Sequence, residues 1–152
     1  MPSANADISS GLLTRQTAGP WAVALAGLVS LALAMGIGRF AFTPLLPMML
    51  HDGTVTLAEG SALATLNYIG YLLGALLCLF IRPDPVRMVR GALALTVVLT
   101  LAMALPGGMP AWLAWRTLAG IASAVVMVYA TAWCMQRLAE LGHPTLGGLM
   151  FC

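Results

Sequence analysis

Two arginines, Arg39 and Arg116, sit inside long apolar stretches with no acidic residue at comparable depth. A charged side chain at the middle of a bilayer helix costs on the order of 3 kcal/mol. A chain that keeps two of them has a use for them, and the chemistry they offer is anion binding. A guanidinium presents a planar fork of donors that grips a carboxylate or phosphate with two hydrogen bonds. Asn67 and Tyr71, on another apolar stretch, add neutral polar groups one helical turn apart.

Helical spacing extends each position into a stripe. Gly36, Arg39 and Thr43 share one face, and Gly60, Asn67, Tyr71, Gly74 and Cys78 share another. Arg116, Gly120, Ser123 and Met127 form a third. Stripes of this kind have two readings. Small residues let helix backbones approach, and Gly70-x-x-x-Gly74 has that spacing. For the glycines the packing reading is preferred. For the arginines the cavity reading is preferred, because close packing needs no guanidinium. Other roles stay open for the arginines: bonding carbonyls freed by a proline, snorkelling to the outer surface, or pairing with an acid. Glu59 is the local candidate for that acid.

The elements that must position these residues follow from composition. The chain of 152 residues is 61% hydrophobic and 8% charged, with mean hydropathy +0.94, whereas soluble domains carry about 25% charged residues. Residues 1–20 are polar and read as a flexible cytoplasmic tail. A signal peptide is the competing reading, but the apolar run after Trp21 outlasts the ~7–15 residues of one. Residues 21–152 read as a helical bundle.

The first span runs from Trp21 to Leu50. That is about 45 Å of helix against a ~30 Å hydrocarbon core, so it must tilt or bend, with Gly36, Gly38, Pro44 and Pro47 as the places to do so. The second is expected over Leu57–Ile81, the third over Val86–Leu105 ending at Pro106-Gly107-Gly108, and the fourth over Pro110–Gln136. A further apolar segment begins at Leu146 and reads as the start of a fifth helix. Counted from the span ends, Arg39, Asn67 and Arg116 lie about 16, 15 and 9 Å deep from one side, a shared layer. The third span offers only Thr96 and Thr100, whose hydroxyls can bond back along their own helix. It suits the lipid-facing periphery.

Arg15, Arg82, Arg87, Arg90 and Arg137 all fall in or beside the tail, the second–third loop and the fourth–fifth turn. The other two loops carry none, so the arginine-bearing set is expected to face the cytoplasm. Trp21, Trp112 and Trp133 then lie near span ends, where indoles prefer the interface. Cys78, Cys134 and Cys152 show no ligand spacing and read as small buried hydrophobes. No cofactor or metal is expected. The chain has no lysine and no basic run, which argues against a nucleic-acid partner. His51 and His143 belong to opposite-side loops and no nucleophile–base grouping can be assembled, so an enzyme is not expected.

The run Gly36-Ile37-Gly38-Arg39-Phe40-Ala41-Phe42-Thr43-Pro44-Leu45-Leu46-Pro47 resembles the first helix of the YbfB/YjiJ-type branch of the major facilitator superfamily. Asn67-Tyr68-Ile69-Gly70-Tyr71-Leu72-Leu73-Gly74 is similar to that branch's second helix. Arg116-Thr117-Leu118-Ala119-Gly120 resembles the superfamily's fourth-helix motif. The resemblance implies an all-α membrane fold of two six-helix halves that rock about a central site. Four helices and the start of a fifth would make this chain part of the N-terminal half, in a bacterial inner membrane. It places Arg39, Asn67, Tyr71 and Arg116 on the cavity side as substrate-binding residues and implies proton coupling, while the arginines themselves argue that the solute is a small organic anion. The partners are then the lipid bilayer, the solute and protons, and nothing fixes the oligomeric state.

Two departures accompany it. The superfamily's second–third loop signature has an aspartate where this chain has Cys78, which puts the gating contact ascribed to that signature in doubt. Members also have about twelve helices, so this chain reads as a fragment that does not transport alone. A truncated remnant or a non-transporting interaction protein is the alternative. A four-helix multidrug exporter fits the length, but it needs a membrane-embedded glutamate that no span interior here supplies.

Overall fold

The computed structural model describes residues 19–40, 42–81, 83–105 and 107–151, with backbone alone for residues 37–39 and 149–151. Residues 1–18 of the expected tail, Arg82, the Arg39 side chain and Cys152 lie outside what is described. All regular structure among the described residues is helical.

The chain enters the bundle at α1, Pro20–Leu31, with Pro20 in the first turn where its missing N–H is no loss. A π-helical stretch, Ala32–Phe40, follows, and then α2, Phe42–His51, which contains Pro47. The expected first span is therefore three pieces. The π stretch includes Gly36 and Gly38, and glycines tolerate its wider turn, while Pro47 lies inside α2. α2 ends at Gly53, whose φ of 67° is the left-handed conformation that glycine adopts without cost. There the amide N–H of Thr54 donates to the Met49 carbonyl at 2.9 Å and that of Gly53 to Leu50 at 3.2 Å, a Schellman closure.

α3, Leu57–Phe80, opens with a reciprocal capping box between Thr56 and Glu59. α4, Pro85–Ala102, is capped by the Asp84 carboxylate, which accepts from the Val86 and Arg87 amides. α5, Gly108–Glu140, is the longest element at 33 residues, about 50 Å. It begins before Pro110 and ends after Gln136, the limits its hydropathy suggests. A second Schellman closure stops it at Gly142, φ 74°, with the His143 amide donating to Leu138 at 2.9 Å. The final element is a 3₁₀ helix, Pro144–Phe151, which lies against α1 and α5.

α3, α4 and α5 are each long and apolar enough to cross a membrane. α5 is the axis. More than half of its most apolar window is buried, against about a fifth for α3 and α4. Ala122, Val125, Val126, Tyr129 and Ala130 pack against Ala34 and Ala92. Cys134 and Leu138 pack against Val23, Ala24 and Leu31. On α4 the Thr96 and Thr100 hydroxyls donate to Ala92 and Thr96 carbonyls at 2.9 and 2.8 Å, so neither needs a partner on another helix. The outward faces of α3 and α4 carry exposed Leu72, Leu76, Phe80, Val97 and Leu101, as lipid-facing surfaces do.

α3 and α5 meet through glycines. A Cβ on Gly70 would overlap the Thr117 carbonyl, and one on Gly120 would overlap the Asn67 carbonyl. One on Gly74 would come within 2.8 Å of the Ile121 carbonyl oxygen. The backbones touch here, as small-residue spacing permits. Antiparallel packing then gathers the start of α1, the end of α3, the start of α4 and the end of α5 at one end of the bundle. Arg87, Arg90 and Arg137 all belong to that end.

Candidate functional site

Asn67 lies near the middle of α3 and is only 2% exposed. Its amide Nδ2 donates to the main-chain carbonyl of Arg116 at 2.9 Å. The bond is possible because Gly70 and Gly120 bring the two backbones together on either side of it. A buried amide with this bond made is a clip between helices, and its loss would leave polar groups stranded.

The Arg116 side chain is 7% exposed, and its guanidinium carbon lies 4.4 Å from the centroid of the Phe42 ring. That is a cation–π contact, worth most where water is excluded. Arg116 is the ninth residue of α5, about 12 Å from its start, deeper than the 9 Å expected because α5 begins earlier. Arg116, Asn67, Phe40, Phe42, Thr43 and Tyr68 line a cleft of about 40 Å³. Such a space holds a few waters. It is far short of the roughly 300 Å³ at which solute pockets begin.

The four residues singled out by sequence are thus distributed unevenly. Asn67 and Arg116 share the cleft. Tyr71 stands one turn along α3, where its hydroxyl donates to the Met127 sulfur at 2.6 Å. Arg39 falls in the π stretch, an element that recurs at functional sites, and its side chain lies outside the described residues. Thr43, four residues on from Arg39, does line the cleft.

Phe42 was not singled out. An aromatic face is a favourable seat for an arginine at depth, but nothing in the sequence separates Phe42 from its apolar neighbours. Glu59, the candidate acid, accepts from the Thr56 amide and hydroxyl, both at 2.8 Å, and is used as a cap. Gly74 and Gly120 serve helix packing. The Ser123 hydroxyl donates to the Ala34 carbonyl at 3.3 Å and ties α5 to the π stretch.

Cys78 and Tyr129 face each other at the arginine-bearing end. The Tyr129 hydroxyl donates to the Ile81 carbonyl at 2.6 Å, fastening the end of α3 to α5 three residues beyond Cys78. Cys134 is buried, with its thiol directed at the Val23 carbonyl, 3.6 Å away. Among the described residues no three metal-ligating side chains cluster.

An all-helical bundle with several apolar, membrane-length helices and an arginine buried between them is a multi-pass integral membrane protein. Residues 31–152 match the family model described as the uncharacterised MFS-type transporter YbfB. The chain belongs to that family of major facilitator transporters. No curated protein and no solved structure matches it.

Proposed function

We propose that this chain contributes one wall of the solute site of a secondary active transporter for a small organic anion. The observation that carries the reading is Arg116: a permanent cation, 7% exposed, lining a cleft between helices of a chain in a transporter family. Its ring partner Phe42 offers a neutral surface from which an entering carboxylate can take over the guanidinium. Arg39, Asn67 and Tyr71 complete the proposed contacts, Asn67 by holding the α5 backbone in place. Proton coupling rests on the family alone. The cleft is too small for a solute as it stands, so a facing bundle supplies the other wall.

The test is flux in proteoliposomes under a proton gradient, with a twelve-helix family member carrying these residues beside the 152-residue chain. Saturable uptake of mono- or dicarboxylates by the former, and none by the latter, is expected. Uptake of cations in preference to anions would overturn the assignment.

We further propose that the arginine-bearing end faces the cytoplasm of a bacterial inner membrane. Single cysteines placed at Thr54 and Asp84, both exposed, test this. An impermeant reagent added outside is expected to label the first and not the second. The reverse pattern would invert the topology.

A further inference from the structure

A groove of about 130 Å³ opens between α1, α4 and α5 at the arginine-bearing end. Its apolar floor includes the buried Gly27 and Ala130, Val89 and Trp133 are half-buried in its walls, and Ala26, Val86 and Arg90 are exposed. The polar groups around it are almost all committed. The Ser30 hydroxyl donates to the Ala26 carbonyl at 2.7 Å, and the Cys134 thiol is directed at Val23. Asp84 caps α4 and lies 3.6 Å from the Arg87 guanidinium. Glu140 pairs with Arg137 at 2.8 Å. Arg90 has no carboxylate partner among the described residues, and it is exposed.

From this arrangement we infer that the groove is a binding site for an anionic phospholipid, with the phosphodiester on Arg90 and an acyl chain along the apolar floor. Charge selects the occupant. Among the described residues both acids at this end already have cations and Arg90 has none of them, and the ligand that meets it from the bilayer side is a lipid headgroup. A basic position between transmembrane helices, beside the cytoplasmic leaflet, is where acidic headgroups collect. Trp133, half-buried in the groove wall, suits the headgroup boundary, with an apolar body and an indole N–H for an ester or phosphate oxygen. An acyl chain matches a floor that offers it no hydrogen bond. The site is separate from the Arg116 cleft and holds whether or not the protein carries an anion.

The test uses the full chain with Trp21, Trp112 and Trp115 exchanged for phenylalanine, so that Trp133 is the sole fluorophore. It is reconstituted in phosphatidylcholine vesicles containing a minor fraction of dibrominated phosphatidylglycerol or dibrominated phosphatidylcholine. Trp133 quenching is expected to report about a fivefold preference for the anionic lipid, the effect of one basic residue near the surface. Arg90→Gln is expected to bring the preference to unity without changing helix content, since Arg90 is exposed. The paired exchange Asp84→Asn with Arg87→Gln removes one charge of each sign and is expected to leave the preference in place. Equal quenching by both lipids in the parent protein, or a preference that survives Arg90→Gln, would overturn the assignment. Weak quenching by both that rises on deletion of residues 1–18 would also overturn it, by showing the chain's own N-terminus in the groove.

Discussion

Arg116→Ala is expected to abolish solute uptake in a twelve-helix family member while leaving helix content and membrane insertion intact. The separation of the two effects follows from which atoms of Arg116 do what. The clip from Asn67 ends on the main-chain carbonyl, which alanine keeps. The guanidinium is the part that alanine removes. A hydrogen bond to a charged group contributes about 1.5–3 kcal/mol. Losing a two-bond grip on a carboxylate therefore raises KM by more than about a hundredfold. Arg116→Lys keeps the charge, but it loses the fork and the flat contact with Phe42, and about tenfold weaker uptake is expected. Arg39→Ala is expected to behave like Arg116→Ala. Concentration-dependent uptake in proteoliposomes checks all three. Normal uptake by Arg116→Ala would make that guanidinium a structural element, seated on Phe42 and irrelevant to the solute.

The second large effect is on the bundle itself. Gly120→Ala places a methyl group against the Asn67 carbonyl and the Tyr71 amide, both backbone atoms that cannot turn aside. α3 and α5 must separate, and the 2.9 Å bond from Asn67 to Arg116 is lost with the contact. Overpacking alone costs about 1–3 kcal/mol, and stranding the buried amide adds about 1–3 kcal/mol. A bundle of ordinary stability, about 5–15 kcal/mol, loses a large share of it. Gly70→Ala is expected to do the same through the Thr117 carbonyl. Gly91→Ala is the control. Its Cβ would have nothing within 4 Å, so better helix propensity leaves stability unchanged or raised by up to about 1 kcal/mol. Denaturant unfolding in mild detergent ranks the variants. Equal stability of Gly120→Ala and Gly91→Ala would show that the helices do not touch there.

The fold class was legible because hydropathy, length and loop arginines all report on the bilayer. Those signals do not depend on tertiary detail. The small-residue stripe on α3 was also legible as an interface, because only glycine allows that backbone approach. Less was legible where two elements had to be known together. Asn67 reads as a cavity residue from its own helix. Its real partner is a carbonyl 49 positions away, and main-chain acceptors leave no mark in a sequence. Phe42 was hidden for the same reason, since one aromatic among many apolar residues is not distinctive until its neighbour is known. The ends of α5 were misjudged because Gly107 and Gly108 read as a stop while the helix starts there, and Gly142, not the polar run after Gln136, ends it. The π stretch gave no warning beyond its glycines.

That stretch has a mechanical consequence for the whole first segment. An α-helix advances about 100° and 1.5 Å for every residue. A π turn takes in more residues than an α turn, so Ala32–Phe40, held on α5 through Ala34, contributes to the rotational phase of α2 relative to α1. Adding or shedding one residue from it would swing Phe42 away from Arg116 while Val23, Ala24 and Leu31 stayed seated on α5. The aromatic cover of the buried cation is thus carried on a segment whose angle depends on the residue count of the π stretch before it.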